Sequence, residues 1–289
     1  MKASLKVFLT ILMASLCQTA LAHNENLKKL WETDGFKTPE SVVYDEANDV
    51  LYVSNVNGAP GDKDGNGFIS RVSLDGEILE LEWVTGMDAP KGLAIVGNKL
   101  YVSDIDTLVE INIDGGAITN RYQAEDGQFF NDVAASADGD VYVSDTGTNT
   151  IHRLSNGSFG VWLQNDELDG PNGLLVEKDR LVVASIGPFG APDPSHLFAV
   201  SLGDKAVSKI TPEPAGKLDG LEADLDGDYY VTDWVNGGLL HIYPDGHVEE
   251  LLDLDQGSAD LEYIAAKDMI LIPMMMNDKL VAWQAHSLE

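Results

Sequence analysis

The chain has 289 residues, 48 of them acidic and 18 basic, for a formal net charge of −30. Binding phosphate requires a basic face, so this balance excludes nucleic acid and anionic lipid surfaces as partners. Length alone allows one large all-β domain or two ordinary ones, and the internal organisation has to decide between them.

Residues 1–22 stand apart. Lys2 and Lys6 precede an apolar run at 7–16, and Ala20-Leu21-Ala22 forms a small-x-small cleavage site, so this segment reads as a signal peptide cut before His23. The run is shorter than the roughly 20 residues that span a bilayer, so no membrane span is expected. Leu16 is bulky where a lipoprotein signal before Cys17 would carry a small residue. The expected mature chain, 23–289, is periplasmic or secreted. It loses two of the 18 basic residues, which leaves 16 against 48 acidic ones and a charge of −32. It also loses Cys17, the only cysteine, so neither disulfides nor thiolate chemistry is expected, and stability must come from the core.

Six segments of the mature chain align. They begin TPESVVYDEANDVLYVSN at Thr38, APKGLAIVGNKLYVSD at Ala89, FFNDVAASADGDVYVSD at Phe129, GPNGLLVEKDRLVVAS at Gly170, KLDGLEADLDGDYYVTD at Lys217 and SADLEYIAAKDMILIP at Ser258. Each pairs a short strand with a second one rich in aromatic and β-branched residues. The polar anchors Glu40, Lys91, Asn131, Asn172, Asp219 and Asp260 are spaced by 51, 40, 41, 47 and 41 residues. A third and a fourth strand follow in each unit, and the period and strand count predict an all-β fold, a six-bladed β-propeller. Turn pairs such as Asp75-Gly76, Asp114-Gly115, Asn156-Gly157 and Asp245-Gly246 suit two-residue hairpins. The sixth unit stops after its third strand, KLVAWQ, whereas LKKLWET at 27–33 precedes the first unit as a fourth strand would. The ring is therefore expected to close by the N-terminal strand pairing into the last blade, which removes two exposed edges. Two Gly/Pro/Asp-rich insertions, 57–67 and 186–196, should be loops on one face, where such loops border binding pockets.

The innermost strand of a propeller blade lines the central channel, so the six anchors should meet as a ring. Three carboxylates, two amides and a lysine, without sulfur or imidazole, offer hard oxygen ligands suited to calcium or magnesium rather than copper or a structural zinc. Glu40, Asn172 and Asp219 with Asn131 could hold one divalent cation. The same residues could instead hydrogen-bond around a water-filled channel. Carboxylates crowded round one axis favour the cation, because otherwise some must take up protons.

Four short pieces carry a family resemblance: Pro-Glu-Ser at 39–41, Phe-Asn-Asp at 130–132, Pro-Asn-Gly at 171–173 and Leu-Asp-Gly at 218–220. One per blade and in order, they resemble the family of senescence marker protein, gluconolactonase and luciferin-regenerating enzyme, with more distant likeness to paraoxonase and diisopropyl fluorophosphatase. The resemblance implies a divalent ion, calcium first and magnesium, manganese or zinc as alternatives. It implies Glu40, Asn172 and Asp219 as direct ligands and Asn131 on the metal or its bound substrate. It further implies hydrolysis of a small-molecule lactone or related ester, with Asp219 either the proton acceptor for the attacking water or a ligand only.

Departures from the family matter too. Sugar-lactone members carry a substrate-reading arginine where this chain has Phe129, which points to a more apolar lactone or ester, or to a non-catalytic propeller that binds a ligand or protein around a structural ion. Lys91 either holds a substrate carboxylate or phosphate or forms a salt bridge to Asp260. His152 and His241 fall in third strands, away from the axis, where packing explains them. The run at 62–67, DKDGNG, resembles the first half of an EF-hand loop, but Ser73 stands where the twelfth-position glutamate belongs, so it reads as an Asp/Gly turn. Met274, Met275 and Met276 follow the second strand of blade 6 and either pack in the ordinary way or wall the pocket.

Overall fold

The computed structural model describes residues 27–285 except residue 189. The signal peptide expected at 1–22 lies outside them. Six four-stranded antiparallel sheets form the blades of a propeller. The innermost strands are Pro39–Asp45, Pro90–Val96, Phe130–Ala135, Pro171–Val176, Leu218–Ala223 and Glu262–Ile264. Closure is as expected: Lys28–Asp34 pairs antiparallel with Lys279–Gln284 as the outermost strand of blade 6. Among the described residues the only helices are three single 3-10 turns, and no helix is long and apolar enough to cross a membrane.

The second strands explain why the blades stack. Successive side chains of a strand point to opposite faces, and both faces of a blade are covered by neighbours. In blade 1, Val50 and Tyr52 pack toward blade 2 while Leu51 and Val53 pack toward blade 6. In blade 4, Leu181 and Val183 face blade 3 while Val182 and Ala184 face blade 5. Such strands must be apolar throughout, which is why VLYV, LVVA and MILI read as continuous runs. Each of the six interfaces has its own apolar cluster, with buried aliphatic side chains worth roughly 1.5–3 kcal/mol each. Stability thus resides between blades, and the axis is left to polar groups.

Turn chemistry differs in part from the expectation. Asn156-Gly157 is a two-residue turn with positive φ at both positions, 50° and 79°. At Asp75-Gly76 and Asp245-Gly246 only the glycine has positive φ, and the flanking bonds, Ser73 N to Glu77 O and Tyr243 N to His247 O, close a three-residue loop. The aspartate stays right-handed and the glycine takes the left-handed position, a type I turn with a bulge. At 113–116 the loop is longer still, between the paired Asn112 and Ala117, with Gly116 left-handed.

Candidate active site on the propeller axis

Five inner strands carry the same local device. Register shifts between Pro39 and Val42, Pro90 and Leu93, Phe130 and Val133, Pro171 and Leu174, and Leu218 and Leu221 place two residues of each in a bulge. The anchor is the first of the two. A bulge frees an amide from the ladder, and in three blades a hydroxyl of the second strand takes it: Ser41 N donates to Ser54 Oγ, Asp132 N to Ser144 Oγ and Gly220 N to Thr232 Oγ1. The Ser/Thr of the repeated YVS/YVT motif therefore fixes the backbone that aims the anchors.

The inner strands also converge tightly. A Cβ on Gly173 would overlap the carbonyl oxygen of Asp219, and one on Gly220 would overlap Leu261 N and stand 2.7 Å from Asp260 Cα. Glycine after Asn172 and after Asp219 is thus a requirement of axial packing.

Glu40, Lys91, Asn131, Asn172 and Asp219 are all buried and together line one cavity of about 430 Å³ at an end of the axis. The 186–196 insertion contributes Ile186, Pro188 and Ala191 to its wall, the 57–67 insertion contributes Pro60, and Met275 and Phe129 complete the apolar side. Asp260 does not line the cavity. Its inner strand begins only at Glu262, its backbone N–H donates to Glu40 O, and its carboxylate accepts from Ser41 Oγ at 2.6 Å. Lys91 forms no salt bridge with it; the ammonium donates to Ala89 O at 3.1 Å and lies over the Phe129 ring, 4.6 Å from its centroid.

The electrostatics of the site are those of crowded, dehydrated acids. Burial, then the charge of Asp219, pushes Glu40 well above the carboxylate range, against the pull of Lys91. Burial, then Asp132, pushes Asp219 up to about 8, while the Asn172 amide draws it down. Burial pulls Lys91 down to about 8, opposed by Glu40 and Asp104. Two oxygens stand out. Glu40 Oε2 and Asn172 Oδ1 are buried and have no hydrogen-bond partner among the described residues. Buried polar atoms in native proteins are nearly always satisfied. With the Asp219 carboxylate and the Asn131 amide in the same cavity, the donor set fits a hard divalent cation.

Several residues of the axis are not evident from the repeat anchors. Asp132, one residue past an anchor, accepts from Leu174 N at 2.6 Å and Val133 N at 2.6 Å, and burial pushes it up to about 6. Glu262 accepts from Tyr44 N at 2.9 Å and ties blade 6 to blade 1. Lys217 and Trp234 line the cavity. Lys217 was discoverable: it stands two residues before Asp219, the register position that Phe129 holds before Asn131. His152 packs against Phe130 and Phe159, and His241 Nε2 bonds Asp224 Oδ2 at 2.9 Å, both outside the cavity. At 62–67, Asn66 N and Nδ2 both bond Asp64, as in a turn.

A closed six-bladed ring with a cavity of small-molecule size at its axis, apolar walls around a few buried polar side chains, defines a propeller with an axial ligand pocket. The chain belongs to the SMP-30/gluconolactonase/LRE-like family, whose region matches residues 38–257. Its fold is similar to that of a gluconolactonase from Xanthomonas campestris, with a TM-score of 0.68, 17% identity and 89% of each chain covered. It is also similar to virginiamycin B lyase from Staphylococcus aureus, solved with quinupristin, with a TM-score of 0.60, 15% identity, and 90% of this chain and 99% of that one covered. No curated protein matches the chain by sequence.

Proposed function

We propose that the protein is an exported, metal-dependent hydrolase of a lactone or related ester, acting in the axial cavity. The observation that carries this reading is the pair of orphaned buried oxygens, Glu40 Oε2 and Asn172 Oδ1, beside Asp219 in a cavity large enough for a small molecule. Glu40, Asn172 and Asp219 would hold the ion, with Asn131 on the ion or on the substrate. Calcium suits this oxygen set best, with magnesium, manganese and zinc as alternatives. When bound, such an ion supplies Lewis-acid polarisation of an ester carbonyl and acidifies water.

The chain's own residues do the rest. Asp219 takes a proton from the attacking water as its oxygen bonds to the acyl carbon; the acyl C–O bond then breaks and the alkoxide leaves with that proton returned from Asp219. Asn131 orients the acyl oxygen through its amide. Phe129, Ile186, Pro188 and Ala191 exclude water and favour an apolar acyl or leaving group, in keeping with the gluconolactonase likeness but not with sugar hydroxyls. The competing reading, a non-catalytic propeller with a structural ion, requires the protein to fill the ion's shell, whereas here the donor oxygens border an open cavity.

The decisive experiment is a panel of lactones and aryl esters assayed on protein stripped of metal and reloaded with each cation, alongside Asp219→Asn. Hydrolysis should appear on reloading and be lost in Asp219→Asn. Activity absent with every cation, or indifferent to Asp219→Asn, would sink the reading. Export is tested by N-terminal sequencing of the protein from the secreted or periplasmic fraction, which should begin at His23.

A further inference from the structure

Two lysines line the cavity, and neither forms a salt bridge among the described residues. Lys91, 1% exposed, is engaged with Ala89 O and the Phe129 ring. Lys217 is 6% exposed and lines the cavity. Among the described residues its ammonium has no carboxylate within salt-bridge distance and no hydrogen-bond acceptor. Its side chain is buried but its ammonium opens on the cavity, where only water or a ligand can satisfy it, and charges held inside a protein are as a rule paired. In a chain with 48 acidic residues a partner for any lysine is easily supplied, so an unpaired buried lysine on a pocket wall is best explained by an anion that arrives from outside.

The surroundings keep room for such a group. Gly187, from the blade 4 insertion, has φ +79°, and a Cβ there would stand 3.0 Å from Lys217 Nζ, over the ammonium. Ile186, Trp234 and Met275 supply apolar surface in the same cavity. Blades 2 and 5 are opposite one another in a ring of six, so Lys91 faces the Lys217 side from across the axis. The carboxylates of Glu40 and Asp219 lie with the proposed ion ligands and serve neither lysine as a salt-bridge partner.

We propose that the substrate is an ester or lactone bearing a second, anionic group on an apolar body, with Lys217 as the seat of that group. Lys91 strengthens the positive potential from the opposite wall. Carboxylate and phosphate share the required chemistry, an oxyanion that accepts charge-assisted hydrogen bonds from an ammonium. The inference rests on the hydrolase reading for the ester, but the anion site itself does not need turnover.

The test uses the metal-loaded full protein, Lys217→Met and Lys217→Arg. Phenyl acetate is compared with its 4-carboxylated analogue, 4-acetoxybenzoate, and with 4-acetoxyphenyl phosphate. Binding of benzoate and of phenyl phosphate is measured separately by calorimetry at low and high salt. The ratio of kcat/KM for the anionic over the neutral ester should fall roughly 10- to 100-fold in Lys217→Met and be largely restored in Lys217→Arg. Benzoate or phenyl phosphate should bind the wild type, more weakly at high salt, and be lost in Lys217→Met; which of the two binds identifies the anion. Lys217→Met should melt no lower than the wild type, since it removes an unpaired buried charge, whereas a structural lysine would lower Tm. If no ester is turned over but anion binding depends on Lys217, the hydrolase reading fails and the anion site stands. If ester ratio and anion binding are both indifferent to Lys217→Met, the anion site is overturned and the hydrolase reading is untouched.

Discussion

Gly173 and Asp219 meet backbone to backbone across the boundary between blades 4 and 5, where a methyl group on the glycine would overlap the aspartate's carbonyl oxygen. One anchor-bearing strand is thereby located by its neighbour. Because the obstruction is backbone on one side and the Ala184 side chain on the other, it cannot swing away as a flexible side chain would. Gly173→Ala should cost roughly 1–3 kcal/mol through overpacking and displace Asp219 from the cavity. Gly160→Ala, on an outer strand with open space around it, is the control and should be near neutral. Thermal melts of the two variants decide the matter, and equal Tm values would show that the close approach is not constraining.

Glu40 Oε2 and Asn172 Oδ1 supply a test of the proposed cation site. Each oxygen is buried without a partner, so on the proposed reading its replacement removes a ligand; Asn172→Leu also removes the Nδ2 donor to Leu218 O. Glu40→Gln and Asn172→Leu should weaken calcium binding by roughly 10- to 100-fold or more, taking the loss on removing even an outer-shell partner as the lower bound. In the wild type, calcium at about 100 times its Kd should add about 2.7 kcal/mol of stability. Calorimetric titration of chelator-stripped protein is the measurement; a silent wild-type titration, or unchanged affinity in both variants, would refute the assignment.

How much of this was legible before the fold was known follows from what repeats. Blade number, closure by 28–34 and the convergence of Glu40, Lys91, Asn131, Asn172 and Asp219 rest on a period of 40–51 residues, and periodicity is a property of sequence. Asp260 shares the period and sits in the same one-residue register shift, between the Ser258–Met274 bridge and the Glu262–Leu271 pair, yet its carboxylate goes to Ser41 Oγ and not into the cavity. Lys217 was legible as a position, two residues before its anchor, but not as a buried charge. Lysine is ordinarily a solvated residue, and only the folded environment shows that this one is buried without a counter-ion. Turn type escaped too, since Asp-Gly serves both two- and three-residue loops and the neighbouring ladder chooses between them.

Glu262 supplies a pH prediction with a definite sign. Burial raises its carboxyl from 4.5 to about 7 in the folded protein. The native state therefore holds a proton that the unfolded state has released between those values. Its contribution is fully present below about pH 4.5 and is lost as pH rises through about 7. Glu40, Asp219, Asp260 and Glu222 are raised by burial as well, so in the presence of chelator Tm should fall from pH 5 to pH 8. Glu262→Gln keeps an acceptor for the Tyr44 N–H and removes one titrating group, and should make that fall shallower. Calcium should do the same by stabilising the ionised forms of Glu40 and Asp219. A Tm that rises with pH in chelator, or a slope unchanged by both Glu262→Gln and calcium, would contradict the account.

The closing strand offers the last prediction. Lys28–Asp34 pairs with Lys279–Gln284 in blade 6 and at the same time reaches blade 1, where Trp31 Nε1 donates to Leu74 O at 2.9 Å and Thr33 Oγ1 to Gly76 O at 2.7 Å. Trp31→Ala removes a half-buried ring and should cost about 2 kcal/mol, less than the roughly 3–5 kcal/mol of a fully buried aromatic. A chain beginning at residue 35 loses the whole strand and leaves Lys279–Gln284 as an unpaired edge. Such edges recruit other strands, so the truncated protein should melt lower than Trp31→Ala and associate as its concentration rises, by light scattering. A truncated chain that stayed monomeric with the wild-type Tm would mean that the ring is held shut by the interblade clusters alone.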